Sequence, residues 1–252
     1  HDCVDLVFVA EGYRKEEFGK FKQDAQRFVD YLFTMEPFVT LKKRFNIHGV
    51  FRASAQSGVD YPAERVYKNT VVDASYDTFG SGAYVTVFDN KTMRDIAGKV
   101  PHDHVIVLAN TERYGGSGFY NSYTLFTSGN KRSEEIFTHE FGHGFAGLAD
   151  EYIAESYFDV YYTRGVEPLE PNITAYLNSG YIKWAHLLTP GAPLPTPAEE
   201  ENKNMVGLFE GAGYTSTGMY RSCLHCVMGA GGLPYCKACQ DAIRDVIEDY
   251  SN

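Results

Sequence analysis

The sequence predicts an α/β protein, and three observations carry that reading. Apolar runs of strand length at Val4 to Ala10, Phe45 to Ala53 and His104 to Ala109 alternate with stretches of helical periodicity. A helix start is signalled at Ser133, where a capping residue precedes Glu134, Glu135 and the apolar Ile136 and Phe137. That helix carries His139-Glu140-Phe141-Gly142-His143, with both histidines on one helical face.

Along the chain, Val4 to Ala10 predicts the first strand. Lys15 to Met35 repeats apolar residues at Phe18, Phe21, Ala25, Phe28, Val29, Leu32 and Phe33, the spacing of an amphipathic helix, and stops before Pro37. Phe45 to Ala53 predicts a second strand, followed by a Gly-, Ser- and Tyr-rich connection from Ser54 to about Gly82. Residues 89–99 predict a helix and His104 to Ala109 a buried strand. The run Tyr114-Gly115-Gly116-Ser117-Gly118 predicts a flexible turn into an aromatic edge strand, Phe119 to Thr127. The histidine-bearing helix comes next, with Gly147 placed to end or bend it. Past Asp150 regular pattern fades. Residues 165–205 are rich in Pro, Gly and acids, notably from Pro190 to Glu201, and predict a long irregular excursion. Lys237 to Tyr250 predicts a closing helix, with Ala238, Ile243, Val246 and Ile247 facing the core. No internal repeat is present.

A chain of 252 residues can bury a substantial core, as one domain or as two lobes. Asp and Glu (33) outnumber Lys and Arg (23), for a net charge of -10, which argues against a nucleic-acid partner. No apolar run approaches the length of a membrane span. There is no signal peptide, and a strand begins almost at His1, so upstream sequence is expected to have been removed. The nineteen tyrosines single out no site, since tyrosine packs half-buried in many domains.

The chemistry concentrates on the predicted helix. Imidazoles four residues apart can grip one metal ion from the same side, and neutral imidazole suits zinc. Glu140 follows His139 directly, so its carboxylate points to a flank where it can reach a water on the metal. Asp150, just past Gly147, is the candidate third ligand, which leaves a tetrahedral position open for catalysis. Glu151 would then face away and is expected, with Tyr152 beside it, to hold a ligand histidine or a nearby turn. The rival reading is an amphipathic core helix with two satisfied histidines; the local context favours the metal.

These residues resemble the metzincin signature, H-E-x-x-H-x-x-G-x-x-H/D followed by a methionine-bearing turn, with Gly147 and Asp150 each one place late. The run Gly147-Leu148-Ala149-Asp150-Glu151-Tyr152 is similar to the immunoglobulin A peptidase family, or igalysins. So are Val4 to Tyr13, Asp24 to Phe38, Asp103 to Gly116 and Ser222 to Ile243, and the resemblance covers most of the chain. It implies a zincin fold in a single metallopeptidase catalytic domain over 1–252. An upper lobe (about 1–149) would hold a mixed twisted sheet with a backing helix and the metal helix. An irregular lower lobe (about 150–252) would hold the methionine turn and the C-terminal helix. It further implies a zinc endopeptidase with one catalytic ion on His139, His143 and Asp150, with Glu140 as general base. Met228 would be the turn methionine, a floor beneath the histidines and not a ligand. The location implied is secreted, periplasmic or cell-surface. The implied partner is a protein or peptide in extended conformation, added by main-chain hydrogen bonds to the edge strand, with Gly115, Gly116 and Gly118 letting that rim move. The position two after Met228, where some metzincins carry a tyrosine, is Ala230, so Tyr152, Tyr220 and Tyr235 stay open as sources of a phenol.

Cys223, Cys226, Cys236 and Cys239 form C-x2-C-x9-C-x2-C, which on spacing alone is compatible with a structural zinc site. A disulfide tying the methionine turn to the last helix is the alternative, and the exported location implied by the family favours at least one such bond. Cys3 is expected to be an inert core thiol, and His225 a surface or supporting residue. Two other functions share the motif: a zinc hydrolase of small amides or esters, and a catalytically silent binding module. Glu140 argues against the second, since a purely structural ion has no use for a base.

Overall fold

In the computed structural model, which describes residues 3–176 and 181–250, the first apolar run forms β1 (Val4–Glu11), buried along its whole length. Two compact units make up the chain, residues 1–146 with 246–252 and residues 147–245.

In the first unit, β1 leads through a 3-10 turn into α1 (Phe18–Leu32), and β2 (Phe45–Val50) follows. The long connection after it contributes β3 (Ala74–Ser75) and β4 (Thr86–Val87), an antiparallel pair, before α2 (Asn90–Ala97). Then come β5 (His104–Ala109), β6 (Gly116–Phe119), β7 (Tyr123–Thr127) and α3 (Ser133–Ala146). The main sheet has the order β2-β1-β5-β7-β6, parallel except for β6, which runs antiparallel to β7 at the edge.

Strands covered on both faces read as continuous apolar runs, and this sheet shows why. On one face Phe8 of β1 and Phe126 of β7 meet Phe28 of α1 and Phe137 of α3, with ring centroids 4.5 to 6.3 Å apart. On the other, Val7, Val9, Val105, Val107 and Leu125 pack with Met93 and Ile96 of α2 and with Val72, Tyr76 and Val85 from the connection. That connection is irregular yet fixed. The buried Glu11 carboxylate accepts from the backbone N–H groups of Val71, Val72 and Ala74 (3.1, 2.9 and 2.9 Å) and from the Thr70 hydroxyl.

Two expectations change here. The glycine run expected to be a turn includes the edge strand β6 itself, and the aromatic strand begins only at Tyr123, inside the sheet. Nor is β6 open along its length: the Gly116 N–H donates to the Ala83 carbonyl (3.3 Å), and Tyr84 bridges to Gly116. Glycine lacks the side chain that marks a strand in sequence, so its pairing was hidden.

The second unit contains α4 (Glu155–Tyr161), β8 (Ile173–Thr174), β9 (Phe209–Ala212), β10 (Thr215–Arg221) and the start of α5 (Lys237–Tyr250), whose last residues belong to the first unit. The expectation of an irregular half is corrected by an antiparallel sheet in the order β8-β10-β9, packed through Ile173, Ala212 and Met219 against Ala149 and Phe158. Its strands are short or polar, as in Thr215-Ser216-Thr217-Gly218, and carry no clean alternation. The 165–205 excursion is pinned by Lys183, which donates to the carbonyls of Pro168, Glu170 and Ile173 (2.5, 2.7 and 2.8 Å), and by the buried Trp184, whose indole N–H donates to the Gly207 carbonyl (2.8 Å). Residues 177–180 of that excursion lie outside the described residues. No described helix is long and apolar enough to cross a membrane.

His104, at the start of β5, is buried and paired with the Thr124 hydroxyl at 2.9 Å; burial, then the charge of Arg94, pushes its imidazole down to about 3. The unfolded chain takes up this proton below about 6.5 and the native state does not. This contribution is therefore complete above that pH and is lost at about 1.4 kcal/mol per pH unit as the pH falls toward 3. Urea unfolding between pH 6.5 and 4.5 should show a shallower pH slope for His104→Gln than for wild type. Equal slopes would mean that His104 is protonated in the native state.

Candidate metal centre

The histidine helix lies flush on the sheet because three glycines permit it. A Cβ on Gly118 of β6 would stand 2.2 Å from the Glu140 carbonyl oxygen and 2.7 Å from the His143 Cβ. On Gly116 it would meet the Glu140 Cγ at 2.7 Å, and on Gly144 of α3 the Thr124 hydroxyl at 2.4 Å. Gly116 and Gly118 thus serve close approach of strand to helix, not the movable rim expected of them. The Glu140 side chain rests on the backbone of the edge strand. His139 and His143, both half-buried, bring their Nε2 atoms to 3.1 Å with rings nearly perpendicular. Two nitrogens bound at about 2.0–2.1 Å to one tetrahedral zinc stand about 3.3 Å apart, so the pair fits a shared ion.

In the second unit, Gly147 takes φ 61°, the left-handed conformation that terminates helices, directly after α3 ends at Ala146. The chain from Ala149 to Glu151 is then held from several sides. Asn172 receives the Ala149 N–H (2.7 Å) and donates to the Ala149 carbonyl and to Glu151 Oε1 (both 2.9 Å). The buried Asp150 accepts a hydrogen bond from the Tyr214 hydroxyl through Oδ2, and its carbonyl accepts from the Gly213 N–H at 2.9 Å. Burial and the Asp150 charge push the Tyr214 phenol upward, so it stays a donor. Tyr152, Tyr157, Tyr161 and Tyr162 surround the Tyr214 ring at 5.3 to 6.1 Å.

The chain matches the model of the family described as IgA Peptidase M64 over residues 1–205 and 198–247. The chain belongs to this family. It is accordingly a metallopeptidase, and its family acts on protein substrates. No curated protein matches it.

The remaining residues singled out in this M64 peptidase divide clearly. Met228 is fully buried in a turn where Gly229 and Ala230 donate N–H groups to the Cys226 carbonyl, both at 2.9 Å, and its own carbonyl accepts the Glu151 N–H at 2.8 Å. Glu151 is thereby tied to the turn, and its carboxylate faces the thiols of Cys236 and Cys239. Burial, then Cys236, pushes that carboxyl up to about 8. All five cysteines are free thiols, so the disulfide expected from the family is not formed. Cys3 is half-buried, against the Lys43 carbonyl. Of the open phenols, Tyr235 is buried, Tyr220 half-buried and Tyr152 exposed. Sequence reasoning missed Tyr214 and Asn172. Tyr214 follows Gly213 and adopts φ 71°, but nothing local ties it or Asn172 to Asp150.

Gly118→Ala should overpack the helix–strand contact, costing about 1–3 kcal/mol or more and lowering the melting temperature by roughly 3–10 °C. An unchanged melting temperature would contradict the close approach.

Proposed function

We propose that this M64 family member is a zinc-dependent endopeptidase of extracellular proteins, acting through His139, His143, Asp150 and Glu140 within one catalytic domain of metzincin type. The observation that carries this reading is the convergence of the His139 and His143 Nε2 atoms at 3.1 Å, with Glu140 on the same turn of helix, in a metallopeptidase family. His139, His143 and Asp150 would hold the ion. Asp150 lies four residues past the end of that helix, and Tyr214 orients its carboxylate.

Zinc bound there supplies Lewis-acid chemistry, lowering the pKa of a water molecule and polarising the scissile carbonyl. Glu140 takes the proton of the attacking water and hands it to the leaving amine. Its position suits that task, because contact with Gly116 keeps the carboxylate at the strand edge. The substrate adds as an extended strand along the part of β6 beyond Gly116, where Gly118 and Phe119 present backbone beside His143. Met228 serves as the turn methionine, and its buried turn holds Glu151 next to Asp150 in the chain.

Glu140→Ala should keep its zinc and lose about 10²–10⁴-fold of its turnover on a peptide library. His143→Ala should lose the histidine-held ion and, with it, cleavage. Full turnover by Glu140→Ala removes the base assignment, and a wild-type enzyme that cleaves small esters but no peptide replaces the peptidase reading. Zinc in wild type and in Glu140→Ala, with cleavage by neither, indicates a binding module.

A further inference from the structure

The second unit holds a separate convergence of ligand-type groups. The thiols of Cys226, Cys236 and Cys239 and a carboxylate oxygen of Glu151 all lie within 4.8 Å of one another, and all four residues are buried. Cys226 and Cys239 Sγ are 3.6 Å apart, and Glu151 Oε1 is 3.5 Å from Cys239 Sγ and 4.0 Å from Cys236 Sγ. Around a tetrahedral zinc, with bonds of about 2.3 Å to sulfur and 2.0 Å to oxygen, neighbouring sulfurs stand about 3.8 Å apart and sulfur and oxygen about 3.5 Å. A disulfide would require about 2.05 Å. A second observation is independent of these distances. Glu151 is 2% exposed, and its Oε2 has no hydrogen-bond partner among the described residues. A buried carboxylate beside three thiols is costly unless a cation compensates it.

We propose that Cys226, Cys236, Cys239 and Glu151 form a second metal site, taking a structural zinc ion. Three thiolates and a carboxylate leave no open position, and thiolate sulfur selects zinc over hard cations such as calcium or magnesium. The site joins pieces far apart in sequence. Cys226 opens the methionine turn, Cys236 directly precedes α5 and Cys239 lies in its first turn, and Glu151 follows Asp150 directly. The ion is thus a strut under the Asp150–Glu151 segment. Cys223, half-buried and beside Cys236, stands outside the ligand set. The proposal does not rest on the peptidase reading.

Metal analysis of the purified full chain decides it. Two zinc equivalents are expected in wild type, and one in a His139→Ala/His143→Ala variant. After cobalt exchange, that variant should show sulfur-to-cobalt charge-transfer absorption, which imidazole ligands alone do not produce. Denaturation in chelator should release five titratable thiols, matching the five cysteines. Cys239→Ser should lose one zinc equivalent; should it fail to fold, the cobalt spectrum of the histidine variant still gives the answer. Cys223→Ser should retain both equivalents. A metal-free histidine variant, a cobalt spectrum without sulfur charge transfer, or three thiols in place of five overturns the site. Loss of one equivalent in Cys223→Ser overturns the ligand set.

Discussion

The first unit depends on a single close contact, the approach of α3 to the edge of the main sheet. Helices ordinarily keep about 10 Å from a sheet because side chains stand between them. Here Gly116 and Gly118 on β6 and Gly144 on α3 remove those side chains where the surfaces meet, and the Glu140 carbonyl and His143 Cβ fill the space. Much follows from this. With Gly144 against β7, Phe137 on the next face of the helix turns into the aromatic core with Phe28 and Phe126. The remaining face carries the two half-buried histidines, with their ring nitrogens converging.

In the second unit the corresponding constraint is the handling of two adjacent carboxylates. In extended chain, successive side chains point to opposite sides, so Asp150 and Glu151 cannot serve one site together. Asp150 goes to Tyr214 within a cluster of tyrosines, and Glu151 to the thiols of Cys236 and Cys239. Asn172 holds the intervening backbone, and the Met228 carbonyl receives the Glu151 N–H. A short stretch of sequence is thus gripped by residues from the turn between β9 and β10, from the methionine turn and from the excursion before β8. Stretches with few contacts of their own are precise only when their neighbours hold them.

How much of this was legible in the sequence depended on whether the signal was local. β5 (His104–Ala109) and α5 (Lys237–Tyr250) have the bounds their periodicity predicts, and α3 starts at Ser133 and stops before Gly147. By contrast, β6 was mistaken for a turn, since glycine advertises flexibility whether or not another backbone presses on it. The sheet of β8, β9 and β10 was invisible because its strands are short, polar or interrupted by Gly218. The partnership of Tyr214 with Asp150 spans 64 residues and leaves no trace in either neighbourhood.

By itself the sequence determined the α/β class, the helix that carries His139, Glu140 and His143, and the shared face of the two histidines, because helical geometry is set by residues within a few positions of one another. Only the tertiary structure decided which edge strand the helix rests on, which way Glu151 turns, and that three of the cysteines gather around it as thiols. Those outcomes depend on contacts between residues distant in the chain, where a missing side chain, a buried charge or an unpaired oxygen acquires meaning only from what the fold places against it.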